Sequence, residues 1–284
     1  MSGAYRAGLD RHASAELAPG HGRWRAGSRS SVSAGLGASW LVRGQPHATR
    51  ALRLYCFGHA GASAAAFRAW QARLEPSIEV CAIELPGHGR RMAEAPQDQL
   101  LPLAGELTQA LARELRATPR PYALFGHSLG ALLAFEVARG LARLDVPPPL
   151  RLLVSGANAP QRRPPSRMLH LLPDDALLEE LRTYDGTPQE LLDERELMAL
   201  LLPILRADFC MVETYHYHPG PQLTVPLTVL AGRADARVSP DGVAAWALET
   251  SGSCHSIWHD GGHFFIETHA RAVLADIRAT LAQD

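Results

Sequence analysis

Short apolar runs alternate along the chain with longer segments in which apolar residues recur every three or four positions. The runs predict strands, which lie at 52–57, 78–84, 122–125, 150–155, 227–232 and 254–258. The periodic segments predict helices at 64–74, 100–118, 129–144, 240–249 and 264–281. Strands this apolar are typical of a parallel sheet covered by helices on both faces. The order therefore indicates an α/β fold whose ligands bind at the carboxyl ends of the strands.

The alternation breaks between 157 and about 223, where the pattern predicts no strand. We expect a helix near 174–184 and a helical stretch at 190–215 that Pro203 interrupts. An insertion of this size between two sheet strands would lie above their carboxyl ends and act as a lid.

Residues 1–38 are rich in Gly, Ala, Ser and Arg and follow neither the helical nor the strand period. This composition predicts a disordered N-terminal extension, and the remaining residues, 39–284, predict one domain with the lid inserted in it.

Composition then narrows the class of protein. The 284 residues are 46% hydrophobic with a net charge of −1, which favours a large core and excludes a charge bias toward nucleic acid or an anionic membrane. The sequence shows no apolar run long enough for a membrane span and no apolar region typical of a secretory signal. Four cysteines lie far apart without a C-x-x-C pair, which is typical of free thiols in a reducing compartment. We expect a cytoplasmic protein and, without an evident oligomerisation surface, a monomer.

A G-x-S-x-G pattern lies where the strand 122–125 meets the following helix. In such a strand, turn and helix the serine is a candidate nucleophile, because the turn holds its hydroxyl at the tip. Gly126 and Gly130 leave room for the close approach that the turn requires. Ser128 is the predicted nucleophile, and the backbone N–H of Leu129 is a predicted donor to an oxyanion. The alternative is a glycine-rich turn with an incidental serine.

A second loop of small residues, 58–63, follows the first strand. Its backbone N–H groups are free to approach a ligand, so Ala60, or its neighbour Gly61, is the candidate for the second oxyanion donor.

A serine nucleophile needs a base, and the base needs an acid that orients it. Asp235 follows the strand 227–232 and His263 follows the strand 254–258, which is the order serine, acid, histidine of one known type of hydrolase. Asp260 remains a rival for the acid. Asp241 lies at a helix start, where the helix dipole already accounts for a carboxylate.

The other histidines do not predict a metal site. His259 and His263 are four positions apart, but Gly261 and Gly262 between them disfavour the helix that a zinc-binding pair needs. We expect His88 to be structural, in a turn that its flanking glycines explain, and His127 to be packed or to line the cleft.

Six motifs together resemble the type II thioesterases of polyketide synthases and nonribosomal peptide synthetases. The motifs are CFGHAG at 56–61, ELPGHGR at 84–90, GHSLGA at 126–131, LPILRADF at 202–209, ETY at 213–215 and GGHFF at 261–265. The resemblance extends from about Trp40 to the C-terminus and implies the α/β-hydrolase fold with a helical lid. It departs at 60–62, where Ala-Gly-Ala replaces the usual Ala-Gly-Gly.

The resemblance implies that the protein hydrolyses stalled or aberrant acyl groups from the phosphopantetheine thiol of acyl or peptidyl carrier protein domains, without a cofactor of its own. In this mechanism Ser128 attacks, His263 transfers the proton, Asp235 orients the imidazole, and the N–H groups of Leu129 and Ala60 hold the oxyanion. A small-molecule esterase or lipase of the same fold is the main alternative. A non-catalytic module that binds carrier proteins is a second alternative, and a chain-terminating cyclase is weaker still.

Overall fold

The structure is a computed structural model that describes residues 40–44, 51–183 and 189–282. The N-terminal extension predicted at 1–38 lies outside the described residues.

Seven strands within the described residues form one sheet in the order β1-β3-β2-β4-β5-β6-β7. They are β1 Leu41–Arg43, β2 Leu52–Phe57, β3 Ile78–Ile83, β4 Tyr122–His127, β5 Leu152–Ser155, β6 Leu227–Gly232 and β7 Cys254–His259. All neighbouring strands are parallel except β1, which pairs antiparallel with β3. The six predicted strands are therefore present, and the mostly parallel sheet is confirmed. Strand β1 was not predicted, because three half-buried residues are too few to show a period.

The connections between the strands are helical. The α-helices are α1 Arg68–Leu74, α2 Leu100–Ala117, α3 Leu129–Leu141, α4 Asp174–Arg182, α5 Gln189–Leu192, α6 Arg195–Thr214, α7 Pro240–Ala244, α8 Phe265–Thr268 and α9 Ala270–Leu281. Short 3-10 helices lie at Ala64–Phe67, Gly89–Arg91, Pro160–Arg162, Leu169–Leu171 and Ala245–Glu249. Within the ranges described, no helix combines the length and apolar character needed to cross a membrane.

The sheet has a hydrophobic cluster on each face. Successive residues of β2 alternate between the clusters: Tyr55 packs with α2 and α3, whereas Leu54 and Cys56 pack with α1 and α9. Each fully buried Leu or Phe contributes about 1.5–3 kcal/mol of transfer free energy, so both faces favour the same register. The predicted helices on both faces of the sheet are confirmed.

The segment between β5 and β6 has a separate apolar cluster. It brings Leu177 and Leu181 of α4 against Met198 and Phe209 of α6. The predicted interruption at Pro203 is wrong, because α6 continues through it. Proline removes one helical hydrogen bond, but the burial of residues on both sides of Pro203 offsets that loss.

The turn from β4 into α3 depends on two glycines. A Cβ added at Gly126 would lie 1.9 Å from the carbonyl oxygen of Gly130, and one added at Gly130 would lie 2.1 Å from that of Phe57. Backbone atoms occupy both positions, so neither contact can be relieved by a rotamer change. Helix α3 therefore begins directly against the end of β2.

We expect Gly130→Ala to lower the free energy of unfolding by about 3 kcal/mol or more, because the backbone must shift to admit the methyl group. Gly105→Ala is the matched control, since a Cβ at this position in α2 meets nothing within 4 Å. That variant should gain about 0.5–1 kcal/mol from the lower chain entropy. Urea unfolding of both variants checks the difference, and equal effects would contradict the close approach.

Candidate active site

Four loops meet at the carboxyl edge of the sheet. They follow β2, β4, β6 and β7, and they carry Ala60, Ser128, Asp235 and His263 respectively. All four residues line one cleft of about 870 Å³. The parallel order of the strands is what brings these loops together, since the carboxyl ends of parallel strands share an edge.

Ser128 has a backbone conformation that side chains rarely adopt, with φ 56° and ψ −114°. Such a residue costs of order 1–3 kcal/mol and persists only where its surroundings fix it. Here its N–H donates to the carbonyl oxygen of Ser155 at 2.8 Å, and α3 begins at the next residue. The turn thus holds Ser128 in the lining of the cleft.

The Ser128 hydroxyl, the His263 ring and the Asp235 carboxylate form a hydrogen-bonded relay. His263 Nε2 lies 3.0 Å from Ser128 Oγ, and His263 Nδ1 lies 2.8 Å from Asp235 Oδ2. An ionised carboxylate only accepts, so Nδ1–H donates to Asp235 and Nε2 is left to accept from the hydroxyl. The other carboxylate oxygen of Asp235 accepts from the Arg237 backbone N–H at 2.9 Å. This arrangement fits a serine activated by a histidine base.

The structure separates the two candidate acids. Asp235 is 5% exposed and contacts His263. The Asp260 side chain is 83% exposed and lies 3.6 Å from Arg233. Of the two carboxylates, the geometry favours Asp235 as the residue that orients the imidazole.

The two candidates for the second oxyanion donor also differ. The Gly61 N–H donates to Asp208 Oδ2 at 2.7 Å, so it is already used. The neighbouring Ala60 carbonyl accepts from His59 Nδ1 at 2.9 Å, which holds the Ala60–Gly61 peptide at both ends. Ala60 therefore remains the better candidate. Leu129 is the first residue of α3, where helical N–H groups have no partner within the helix.

Asp208 was not among the residues predicted from the sequence. It lies on α6, is fully buried, and also contacts His88 Nε2 at 2.9 Å. His88 Nδ1 donates to the Pro86 carbonyl at 3.0 Å, so both ring nitrogens face acceptors. A carboxylate on the apolar face of a helix was the available signal, but its partner is 120 positions away. His88 is thus buried in a structural pair, as its flanking glycines had indicated.

His127 lies behind the catalytic candidates. Its ring is fully buried 5.0 Å from that of His263, and its Nδ1 lies 2.9 Å from Ser155 Oγ. Burial, with the charges of His263 and His59, holds the pKa of His127 well below its usual value. The His127 ring is therefore uncharged, and it packs against the His263 ring.

The lining of the cleft is mixed. Residues of the segment between β5 and β6, among them Leu181, Leu205, Phe209 and Val212, form an apolar wall of the cleft that Ser128 also lines. Among the described residues no group of three or more His, Cys, Asp or Glu could hold a metal ion. A cleft with an apolar wall and a few convergent polar groups is the usual form of a small-molecule site.

A serine, histidine and aspartate relay at the carboxyl edge of a mostly parallel sheet defines the class: a serine hydrolase of the α/β-hydrolase fold. The family model of the thioesterase domain matches residues 52–281. The thioesterase PikA5 of Streptomyces venezuelae is 37% identical over 87% of this chain and 86% of that protein.

Solved structures of similar sequence are also thioesterases. The type II thioesterase BorB from the borrelidin biosynthetic cluster is 38% identical with a TM-score of 0.77, covering 84% of this chain and 96% of BorB. YbtT, a type II thioesterase from the yersiniabactin NRPS/PKS pathway, is 32% identical with a TM-score of 0.73 over 84% and 96% of the two chains. The chain therefore belongs to the thioesterase family and is a type II thioesterase, which confirms the resemblance inferred from the six motifs.

The pair of His88 and Asp208 predicts a pH dependence of stability. Burial lowers the pKa of a histidine, but the hydrogen bond and charge of Asp208 outweigh this and raise the pKa of His88. A raised native pKa means that the stabilisation is complete below the unfolded value, about 6.5, and is lost as the pH rises through the native value.

We expect the difference in unfolding free energy between wild type and His88→Gln to shrink from about pH 6 to about pH 9. Denaturant unfolding at both pH values measures it. His255→Gln, at an exposed position of β7, controls for the general effect of pH. A difference that grows with pH would contradict the pairing.

Proposed function

We propose that this thioesterase removes acyl groups from the phosphopantetheine arm of acyl or peptidyl carrier protein domains, by way of an acyl-enzyme. The observation that carries the proposal is the hydrogen-bonded relay from Ser128 through His263 to Asp235 inside a cleft with an apolar wall. The pathways of BorB and YbtT support carrier-bound thioesters as the substrate class. The removed groups would be stalled or aberrant intermediates.

Acylation uses the relay in one direction. Ser128 Oγ attacks the thioester carbonyl carbon while its proton passes to His263 Nε2. Asp235 accepts from Nδ1–H and stabilises the imidazolium that forms. The N–H groups of Leu129 and Ala60 would hold the oxyanion, and each such donor contributes about 10²–10³ in rate. When the tetrahedral intermediate collapses, the carbon–sulfur bond breaks and Nε2–H protonates the leaving thiolate.

Deacylation repeats these steps with water. His263 Nε2 accepts a proton from water as the water oxygen attacks the acyl carbon. The bond between that carbon and Ser128 Oγ then breaks, the same N–H protonates Oγ, and the acyl group leaves as a carboxylic acid. The relay returns to its starting state, so the cycle needs no cofactor beyond the phosphopantetheine that the substrate brings.

The segment 157–223 would act as a lid over the acyl chain. Leu205 and Phe209 of α6 and Leu181 of α4 line the cleft, where an apolar acyl group would replace water. We place the enzyme in the cytoplasm as a monomer. The free thiols of all four cysteines, Cys56, Cys81, Cys210 and Cys254, support a reducing compartment.

Substitutions of relay residues should lower the activity, whereas substitution of the nearby Asp260 should not. Ser128→Ala should abolish release of acetyl from an acyl carrier protein. Asp235→Asn should cost about 10⁴ in kcat, the loss known for the orienting aspartate of a serine protease, because the wrong imidazole tautomer is favoured. Asp260→Asn is the matched control and should stay within a factor of two or so of wild type. Loss of activity in Asp260→Asn alone would transfer the orienting role to that residue.

The carrier should matter to the rate. We expect kcat/KM to be higher for acetyl on a carrier protein than for acetyl on free pantetheine, and lowest for a simple ester such as p-nitrophenyl acetate per unit of intrinsic reactivity. Steady-state rates across these three substrates measure the order. A reversed order would favour a small-molecule esterase. A protein that hydrolyses none of the three substrates, and whose Ser128 does not react with a fluorophosphonate, would favour a binding module.

A further inference from the structure

The two hydrogen bonds of the relay do not by themselves fix the orientation of the His263 ring. Its Nδ1 lies 2.8 Å from Asp235 Oδ2 and its Nε2 lies 3.0 Å from Ser128 Oγ. Contacts at these two atoms leave the ring free to tilt about the line that joins the nitrogens. The packing around the ring therefore sets how well Nε2 is aligned with the hydroxyl of Ser128.

His127 packs against this ring. The centroids of the His127 and His263 rings lie 5.0 Å apart, and the ring planes are inclined by 43°. The His127 side chain is fully buried. Phe264 also contacts the His263 ring, with the centroids 5.2 Å apart and the planes at 86°. Because the interior of a protein is close-packed, the His127 ring leaves the His263 ring little room to tilt toward it.

The His127 ring is itself fixed by β5 and the residue that follows it. His127 Nδ1 lies 2.9 Å from Ser155 Oγ, and Ser155 is fully buried. Gly156 has φ +60°, and a Cβ added there would lie 2.5 Å from His127 Cε1. The missing side chain at Gly156 thus makes room for the ring, and the Ser155 hydroxyl fixes its rotation.

Ser155 also fixes the backbone of the nucleophile. Its carbonyl accepts from the Ser128 N–H at 2.8 Å, while its hydroxyl contacts His127, the residue opposite it in the pairing of β4 with β5. One residue of β5 therefore holds both Ser128 and the ring that packs against His263. The alignment of His263 Nε2 with Ser128 Oγ should then depend on the His127 ring.

We propose that His127 is a positioning residue of the relay, whose ring holds the His263 imidazole at the tilt where Nε2 accepts from Ser128. The inference rests on the proposed function, because it assumes that the relay is the catalytic centre. The described residues that line the cleft do not include His127, so it acts through His263 and not on the substrate directly. A displacement of about 1 Å in a catalytic group can cost about 10² in rate, so such a neighbour can limit turnover.

Two substitutions separate the ring from the bond that fixes it. His127→Asn removes the ring but keeps a hydrogen bond to Ser155 Oγ, since an amide atom of asparagine takes the place of Nδ1. We expect kcat for acetyl on a carrier protein to fall about tenfold to a hundredfold, at a KM within about a factor of two of wild type. Ser155→Ala keeps the ring but frees its rotation, and it should lower kcat by a smaller factor.

His259→Asn is the matched control. His259 resembles His127 in being buried, in ending a strand, and in packing against Phe265, at centroid distances of 5.3 Å for His259 and 5.8 Å for His127. Within the part of the chain that the structure describes, the ring contacts of His259 do not include His263. This variant loses a comparable buried ring, but its kcat should stay near the wild-type value.

The proton on His263 Nδ1 reports the geometry of the relay without turnover. A proton that a histidine donates to a carboxylate gives a downfield ¹H NMR resonance, and this resonance should disappear in Asp235→Asn. We expect His127→Asn to shift or broaden it, because a tilting ring lets the proton exchange with water. His259→Asn should leave it unchanged.

A wild-type kcat in His127→Asn, or equal losses of kcat in His127→Asn and His259→Asn, would overturn the proposal. A raised KM at unchanged kcat would also overturn it, because His127 would then act on substrate binding. So would a wild-type resonance in His127→Asn. Where His127→Asn does not fold, an unchanged kcat and resonance in Ser155→Ala would have the same meaning.

Failure of the proposed function has a different signature. Wild-type protein that hydrolyses no carrier-bound acyl group would contradict that function, and the resonance, which needs no substrate, would still decide whether His127 positions His263. Absence of the downfield resonance from wild type would contradict the relay itself and overturn the positioning role with it.

Discussion

The close approach of α3 to the ends of β2 and β4 is the constraint on which the site depends. Gly126 and Gly130 admit neighbouring backbone at distances that no Cβ would allow, and Ser128 takes a positive φ between them. That geometry directs the hydroxyl toward the loops after β6 and β7, where Asp235 and His263 complete the relay at 2.8 and 3.0 Å. It also sets the first N–H of α3 beside the small-residue loop after β2. One packing contact thus positions both the proposed nucleophile and the proposed oxyanion donors.

The segment between β5 and β6 lines the cleft and also contacts the loops that follow β2 and β3. Through Asp208, α6 accepts a hydrogen bond from Gly61 in the loop after β2 and contacts His88 in the turn after β3. Removing one partner of so buried a pair is costly, since it strands the other charge. The same helix presents Leu205 and Phe209 to the cleft. The wall that would receive the acyl group is therefore attached to the loop that carries Ala60.

The sequence was most informative where chemistry and periodicity coincide. Buried strands such as 52–57 and 227–232 are dense enough in apolar residues to be located directly, and strand order then put Ser128, Asp235 and His263 at one edge. The prediction that Pro203 interrupts the helix was wrong, because local propensity favours a break there whereas tertiary packing keeps α6 continuous. The strand β1 and the contact of Asp208 with His88 depend on long-range pairing, which no local pattern encodes. The preference for Ala60 over Gly61 as the second candidate oxyanion donor depends on the hydrogen bond from the Gly61 N–H to Asp208, which the sequence does not show.

The most direct measurement is the mass of the enzyme during turnover. An acylated carrier protein mixed with the thioesterase and quenched at short times should yield enzyme that is heavier by one acyl group. Digestion should place that group on the peptide that contains Ser128, and the adduct should accumulate when deacylation is slowed. Turnover without any acyl adduct at Ser128, or an adduct on another residue that forms and decays at the rate of turnover, would contradict the relay as the catalytic centre.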